Sequence, residues 1–139
     1  MTEAIDLDEM NRKVIAEFRS TDGVTEIFAG TPIILVHHIG AKSGIERVAP
    51  LVYYAEGDRL FIYASKGGSD ENPAWYHNLL AHPETKVELG PDTFPVRAQV
   101  LTGAERDEFY LKQAAAQPQF AEYQSKTSRV IPVIELVRI

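Results

Sequence analysis

Hydrophobic positions along the chain change period several times, and each change marks an element. Leu7, Met10, Val14, Ile15 and Phe18 recur at three- and four-residue spacing, so Leu7 to Arg19 is expected to form an amphipathic helix. Gly23 to Gly30 then reads as a connection. The β-branched run Thr31 to Ile39 predicts a buried strand. Gly40-Ala41-Lys42-Ser43-Gly44 is turn-like, and Arg47 to Ala55 predicts a second strand. Glu56-Gly57-Asp58 makes a tight hairpin to a third, Arg59 to Ala64. Trp75 to Ala81 predicts a short helix that stops at His82-Pro83, because the residue before proline avoids the α region. Thr85 to Leu89 and Thr93 to Leu101 form a further hairpin through Gly90-Pro91-Asp92. Pro95 suggests that part of this last strand lies at an edge or bulge. Helices over Ala104 to Ala116 and from Pro118 to about Thr127 precede a closing strand, Ile131 to Ile139.

About six strands joined mostly by hairpins, with helices outside, predict an α+β fold built on a small antiparallel barrel. Strand and helix do not alternate regularly, which argues against a dinucleotide-binding doubly wound sheet. The expected organisation is a single domain. Residues 1–30 supply the N-terminal helix and connection, and residues 31–139 the barrel.

Composition narrows the function classes. At 139 residues and 45% hydrophobic, the chain suits one domain with a proper core. The absence of cysteine removes disulfides, thiolate metal sites and cysteine nucleophiles. A net charge of −6 argues against general nucleic-acid binding, which needs clustered Lys and Arg. No apolar run is long enough to span a bilayer, and no signal peptide is visible, so a cytoplasmic protein is expected. The N-terminal helix could cover the core, act as a lid or touch a membrane. Glu3, Asp6, Asp8, Glu9 and Glu17 weigh against the last, because anionic lipid attracts Lys and Arg.

The densest chemical signal is Tyr63-Ala64-Ser65-Lys66-Gly67-Gly68, followed by Asn72-Pro73-Ala74-Trp75-Tyr76-His77-Asn78. A strand runs into a lysine and two glycines, and a helix opens at a proline, with Asn72 or Ser69 as the expected cap. Glycines allow close backbone approach, lysine supplies a point charge, and a helix N-terminus favours an anion. The blander reading is a strand-to-helix connection that needs glycine for its turn. Antiparallel pairing would bring Lys42, Arg47 and Lys66 to one end of the sheet, with Ser43 and Ser65 as hydroxyl donors. Such a set suits a phosphodiester or polycarboxylate tail. Solvated cations, one of them paired with Glu46, are the alternative.

Other candidates carry less. His37 and His38 are adjacent on a strand and point to opposite faces, so a shared metal is not expected. Tyr123 and Lys126 would share a helix face, but no dinucleotide fingerprint accompanies them, and a packing anchor with a surface lysine is favoured. No Gly-x-Ser-x-Gly elbow or paired-carboxylate pattern is present. A good binding site with little acid–base apparatus fits a protein whose cofactor does the hard step.

Four segments together resemble the deazaflavin-dependent nitroreductases and quinone reductases of actinobacteria. They are Gly40-Ala41-Lys42-Ser43-Gly44 with Arg47 and Pro50-Leu51-Val52; Ala64-Ser65-Lys66-Gly67-Gly68; Asn72-Pro73-Ala74-Trp75-Tyr76-His77-Asn78-Leu79; and Tyr123-Gln124-Ser125-Lys126-Thr127-Ser128-Arg129 with Ile131-Pro132. The resemblance runs from about Ile33 to Ile139. It implies a split β-barrel like that of flavin-mononucleotide-binding reductases. It also implies hydride transfer from reduced coenzyme F-420, an 8-hydroxy-5-deazaflavin, to a quinone-like or nitroaromatic acceptor.

Residue by residue, the resemblance assigns the phosphate and acidic tail to Lys42, Ser43, Arg47 and Lys66. It assigns the deazaflavin ring to Ser65, Lys66, Gly67 and Gly68, walled by Ala74, Trp75 and Tyr76, and counts Pro50 among the cofactor-binding residues. Val52, Phe120 and Tyr123 would face the acceptor, with Tyr123 or Ser65 delivering the proton. No metal is implied. A flavin-mononucleotide reductase on the same barrel and a non-catalytic deazaflavin carrier are the alternatives. Assembly is open between monomer and homodimer, and peripheral contact with the inner face of the cell membrane through the N-terminal helix stays open.

Overall fold

A computed structural model describes residues 7–21 and 32–139. The predicted connection 23–30 and Thr31 lie outside the described residues, as do the side chains of Leu7 and Met10. The strands are β1 (Ile33–Ile39), β2 (Glu46–Glu56), β3 (Arg59–Tyr63), β4 (Glu84–Leu89), β5 (Asp92–Leu101) and β6 (Val133–Arg138). The helices are α1 (Leu7–Ser20), α2 (Ala74–Ala81), α3 (Gly103–Ala116) and α4 (Gln119–Ser125), with a 3-10 turn at Lys66–Gly68. That turn was expected only as loop.

The strands close into an antiparallel barrel in the order β1-β2-β3-β6-β5-β4, with β4 returning to β1. The fold is α+β, a small antiparallel split barrel with flanking helices. Closure leaves no sheet edge for Pro95. It lies one residue beyond the last β5–β6 pair, Val96↔Arg138, where only its carbonyl is used, by the Ile139 amide at 3.3 Å. A missing N–H therefore costs nothing on that side.

Alternation along each strand sorts side chains between the barrel interior and its outer face. Ile34, Val36, Leu60, Ile62, Val87 and Ile134 fill the interior, and Trp75 and Leu79 of α2 pack onto the same cluster. β1 is buried on both faces because its other side, Ile33 and Leu35, lies under Val14 and Phe18 of α1. That double burial explains an unbroken apolar run where a half-exposed strand would alternate. Helix α1 thus covers the outer face of β1 and β2. A third cluster, with Phe61, Tyr63, Phe109, Tyr110 and Phe120, seats α3 and α4 on β3 and β6.

Candidate functional site

The segment after β3 adopts an unusual backbone. Ser65 is right-handed (φ −76, ψ −40), while Lys66 (φ 46), Gly67 (φ 64) and Gly68 (φ 87) are successively left-handed. A right-handed residue followed by a left-handed one turns successive N–H groups to one side, a concavity suited to anions. Left-handed Lys66 is a strained non-glycine residue, a feature that clusters at ligand sites. A Cβ at Gly67 would meet nothing within 4 Å, so this position is open to a ligand. Gly68 is the opposite case, wedged against α4.

Arg129 holds this segment from behind. Its Nε donates to Ser69 O (2.7 Å), Nη1 to Ala64 O (3.1 Å) and Asn72 Oδ1 (2.8 Å), and Nη2 to Ser65 O (2.8 Å). Asn72 is therefore not a helix cap, nor is Ser69, whose Oγ accepts from the Glu71 amide at 3.2 Å. The cap position of α2 is Pro73, without a side-chain bond. The guanidinium took Asn72 because it offers a charge-assisted bond where a cap offers a neutral one.

The turn between β1 and β2 carries Lys42 and Arg47, both exposed. A Cβ at Gly40 would fall 2.2 Å from Ser43 Oγ, so a side chain there would turn that hydroxyl out of its present place. Ser43 Oγ accepts the Ile45 amide at 3.2 Å, so this hydroxyl shapes the turn. Helix α2 grips the same turn through Asn78, whose Oδ1 accepts the Ala41 amide at 3.0 Å and whose Nδ2 donates to His38 Nδ1 at 3.0 Å. Burial first, then the Arg47 guanidinium, hold His38 below its ordinary value, so it stays a neutral acceptor.

Lys42 and Arg47 belong to the β1–β2 turn, whereas Lys66 follows the end of β3, which pairs with the middle of β2. Ile62 is opposite Tyr53, six positions along β2 from Arg47. Lys66 lies beyond the end of β3 and is 3.8 Å from Glu71. Glu46, the expected partner of the turn cations, instead bonds His37.

Val52 lies between two packed groups. It packs against the α1 cluster and also against the aromatic cluster of α3 and α4. The outer face of β2 here thus sits between α1 and α4. Tyr123 of α4 is half-buried, and its ring meets Phe120 edge-on at 5.2 Å. Phe120 is only 5% exposed and packs on Tyr63 at 5.5 Å, so it backs Tyr123 from the core. Trp75, 9% exposed, likewise packs into the barrel core, whereas Ala74 is exposed and Tyr76 half-buried at the same helix start. Pro50 and Ser65 are half-buried.

His37 and His38 do diverge. His37 lies between two carboxylates, Glu46 (2.9 Å from Nδ1) and Glu88 (2.8 Å from Nε2). Arg19 of α1 forks onto Glu88 at 2.6 and 3.0 Å. Among the described residues no group of His, Asp and Glu is arranged to hold a metal.

Residues missed by sequence reasoning are the ones that work across the fold. Arg129, Asn78 and Arg19 each bond elements far away in sequence, and Gln124 links α4 to Arg106 of α3. The one local signal was Arg129 itself, a lone arginine entering the apolar run Val130-Ile131 ahead of a strand. The residues present suit a flat ring with an anionic tail. Open space at Gly67 and the turned amides of Ser65 to Gly67 offer a backbone cradle, and exposed Lys42, Arg47 and Lys66 offer counter-charge.

The profile of the F420H(2)-dependent quinone reductase family matches residues 10–137. The F420H(2)-dependent quinone reductase Rv1261c of Mycobacterium tuberculosis is 38% identical over 128 residues, covering 88% of this chain and 86% of that protein. A solved structure described as an F420-H2 dependent reductase has a TM-score of 0.70 at 40% identity, covering 76% of this chain and 93% of the other. Another, described as a domain-swapped dimer, has a TM-score of 0.72 at 38% identity, covering 94% and 97%. A barrel with a left-handed lysine–glycine turn, matched along nearly its whole length, belongs to the F420H(2)-dependent quinone reductase family.

Proposed function

We propose that this chain reduces a quinone with a hydride taken from reduced coenzyme F-420. The observation that carries the reading is the Ser65–Gly68 turn, whose amides and open Gly67 face form a cradle beside exposed cations. Bound reduced F-420 supplies two electrons as a hydride. The quinone takes that hydride and one proton and leaves as hydroquinone, and the coenzyme leaves oxidised.

The chain's own task is placement. Lys42, Ser43, Arg47 and Lys66 hold the phosphate and acidic tail by charge-assisted bonds. The backbone of Ser65, Lys66, Gly67 and Gly68 would hold the ring, with Pro50, Ala74 and Tyr76 around it and Trp75 anchoring the same helix start in the core. Val52 and Tyr123 line the acceptor side, with Phe120 backing Tyr123. Fixing donor and acceptor in contact is worth several powers of ten in rate without acid–base chemistry. Tyr123 delivers the proton, with Ser65 as the second donor in reach of the ring. Nitroaromatic acceptors fit the same cleft as electrophiles of similar shape.

A homodimer is the assembly we favour, supported by the relative described as a domain-swapped dimer. We place its work in the cytoplasm, and the lipid solubility of quinones is the one argument for a meeting at the inner membrane surface.

The test mixes purified protein with reduced F-420 and menadione and follows the return of oxidised deazaflavin absorbance against a no-enzyme control. Protein-dependent turnover is expected, from a colourless preparation. Binding without turnover across quinones, nitroaromatics and enones would make the chain a carrier. A yellow preparation that holds flavin mononucleotide and ignores F-420 would end the reading.

A further inference from the structure

We infer that Arg129 is a positioning residue for hydride transfer. It aims the Ser65 and Lys66 N–H groups at the cofactor and keeps the Tyr123 helix in register with them. The inference rests on the reading of the site given above.

Peptide planarity carries the first half. In a trans peptide the C=O of one residue and the N–H of the next point in opposite directions. Arg129 draws the carbonyls of Ala64 (3.1 Å) and Ser65 (2.8 Å) to itself. The N–H groups of Ser65 and Lys66 must then point away from the guanidinium, toward the open side of the turn. The same fork reaches Ser69 O and Asn72 Oδ1, so both ends of the turn are fixed to one rigid group. Two local bonds, Gly68 N–H to Ser65 O (2.9 Å) and Ser69 N–H to Lys66 O (3.2 Å), close the turn that carries Lys66 at φ 46, and Arg129 fixes the orientation of that closed turn against the start of β6.

The second half runs into α4. Gln124 Nε2 donates to Arg129 O at 2.7 Å, one residue after Tyr123. Gln124 Oε1 accepts from Arg106 Nη2 (2.6 Å) and from the Ile131 amide (3.1 Å), which anchors this link to α3 and the start of β6. Thr127 adds a brace, donating to Asp70 Oδ1 at 2.8 Å. The cradle and the acceptor wall are therefore one bonded unit, with Arg129 at its centre.

A lysine at position 129 would keep the charge and lose the fork, since an ammonium cannot address four acceptors spread over one plane. The experiment loads wild type and Arg129→Lys with saturating reduced F-420, adds menadione and measures the single-turnover rate. Cofactor affinity is read by fluorescence, and folding by circular dichroism at the assay temperature. The expected result is a single-turnover rate lower by on the order of tenfold or more at full occupancy, because misplacement of reacting groups is costly even when both are bound. A purely structural role would leave the rate at full occupancy untouched. A folded Arg129→Lys that matches wild type once saturated would overturn the inference. Should that variant not fold, Asn72→Ala is read by the same criterion, with a loss of about threefold expected because one of the guanidinium's partners is removed. A wild-type rate in Asn72→Ala would then overturn it. Failure of the wild type to oxidise reduced F-420 would fall on the parent reading instead.

Discussion

Gly68 lies directly against the backbone of Tyr123. A Cβ at Gly68 would stand 2.8 Å from the Tyr123 carbonyl oxygen and 3.1 Å from its Cα, at a φ of +87. Two residues far apart in sequence thus join the Lys66–Gly68 turn to α4 with no room between them.

Gly68→Ala should accordingly fail twice, through the left-handed φ and through the contact. We expect a stability loss of about 1–3 kcal/mol and a melting temperature lower by several degrees. Weaker F-420 binding should accompany it, as α4 is pushed off the turn. A thermal melt and a fluorescence titration check this; wild-type values in both would remove the proposed fit between turn and helix.

Lys42→Ala and Arg47→Ala should weaken F-420 binding more than they slow hydride transfer from bound cofactor. Loss of one charge-assisted bond corresponds to about 10- to 100-fold in Kd. Added salt should weaken wild-type binding more than that of either variant, since exposed charges are screened. Unchanged affinity in both variants would remove the anion site from this turn.

Acid should loosen the seat of α1. The Glu88 carboxyl is held below its ordinary value chiefly by the Arg19 hydrogen bonds, with His37 adding to it, against an opposing effect of burial. The Glu46 carboxyl is held down chiefly by its bond to His37. A depressed folded-state value means the folded form binds fewer protons, so this stabilisation is full above the ordinary carboxyl value and lost as pH falls through the depressed one. Melting temperature should therefore fall on acidification below about pH 4.5. Glu88→Gln should be less stable near neutrality and show a shallower acid limb. Parallel profiles for the two proteins would show that this carboxylate does not matter to acid sensitivity.

Tyr123→Phe keeps the ring and removes the proton. Turnover with menadione should drop by roughly 100-fold if this hydroxyl is the donor, with F-420 affinity near that of wild type. A wild-type rate would move the proton step to Ser65 or to water, and Ser65→Ala would follow.

What the sequence by itself determined is what short-range physics sets. Period changes located every strand, because alternation and turn chemistry act over a few residues; Glu56-Gly57-Asp58 and Gly90-Pro91 both stand at hairpin turns. Cations and glycines at two turns could be read for the same reason, as could the divergence of His37 and His38. Tertiary structure alone decided which partners those residues take. Asn72 reads as a cap until an arginine far along the chain claims its oxygen. Trp75 reads as a cofactor wall and Phe120 as an acceptor contact, yet both side chains pack into cores, since a large aromatic gains much from full burial. Pro95 reads as an edge residue until the barrel closes around it. Arg129 stands out locally only as a lone arginine before an apolar pair; its meaning lies in four acceptors that it reaches only when β3, the turn and the start of β6 are assembled.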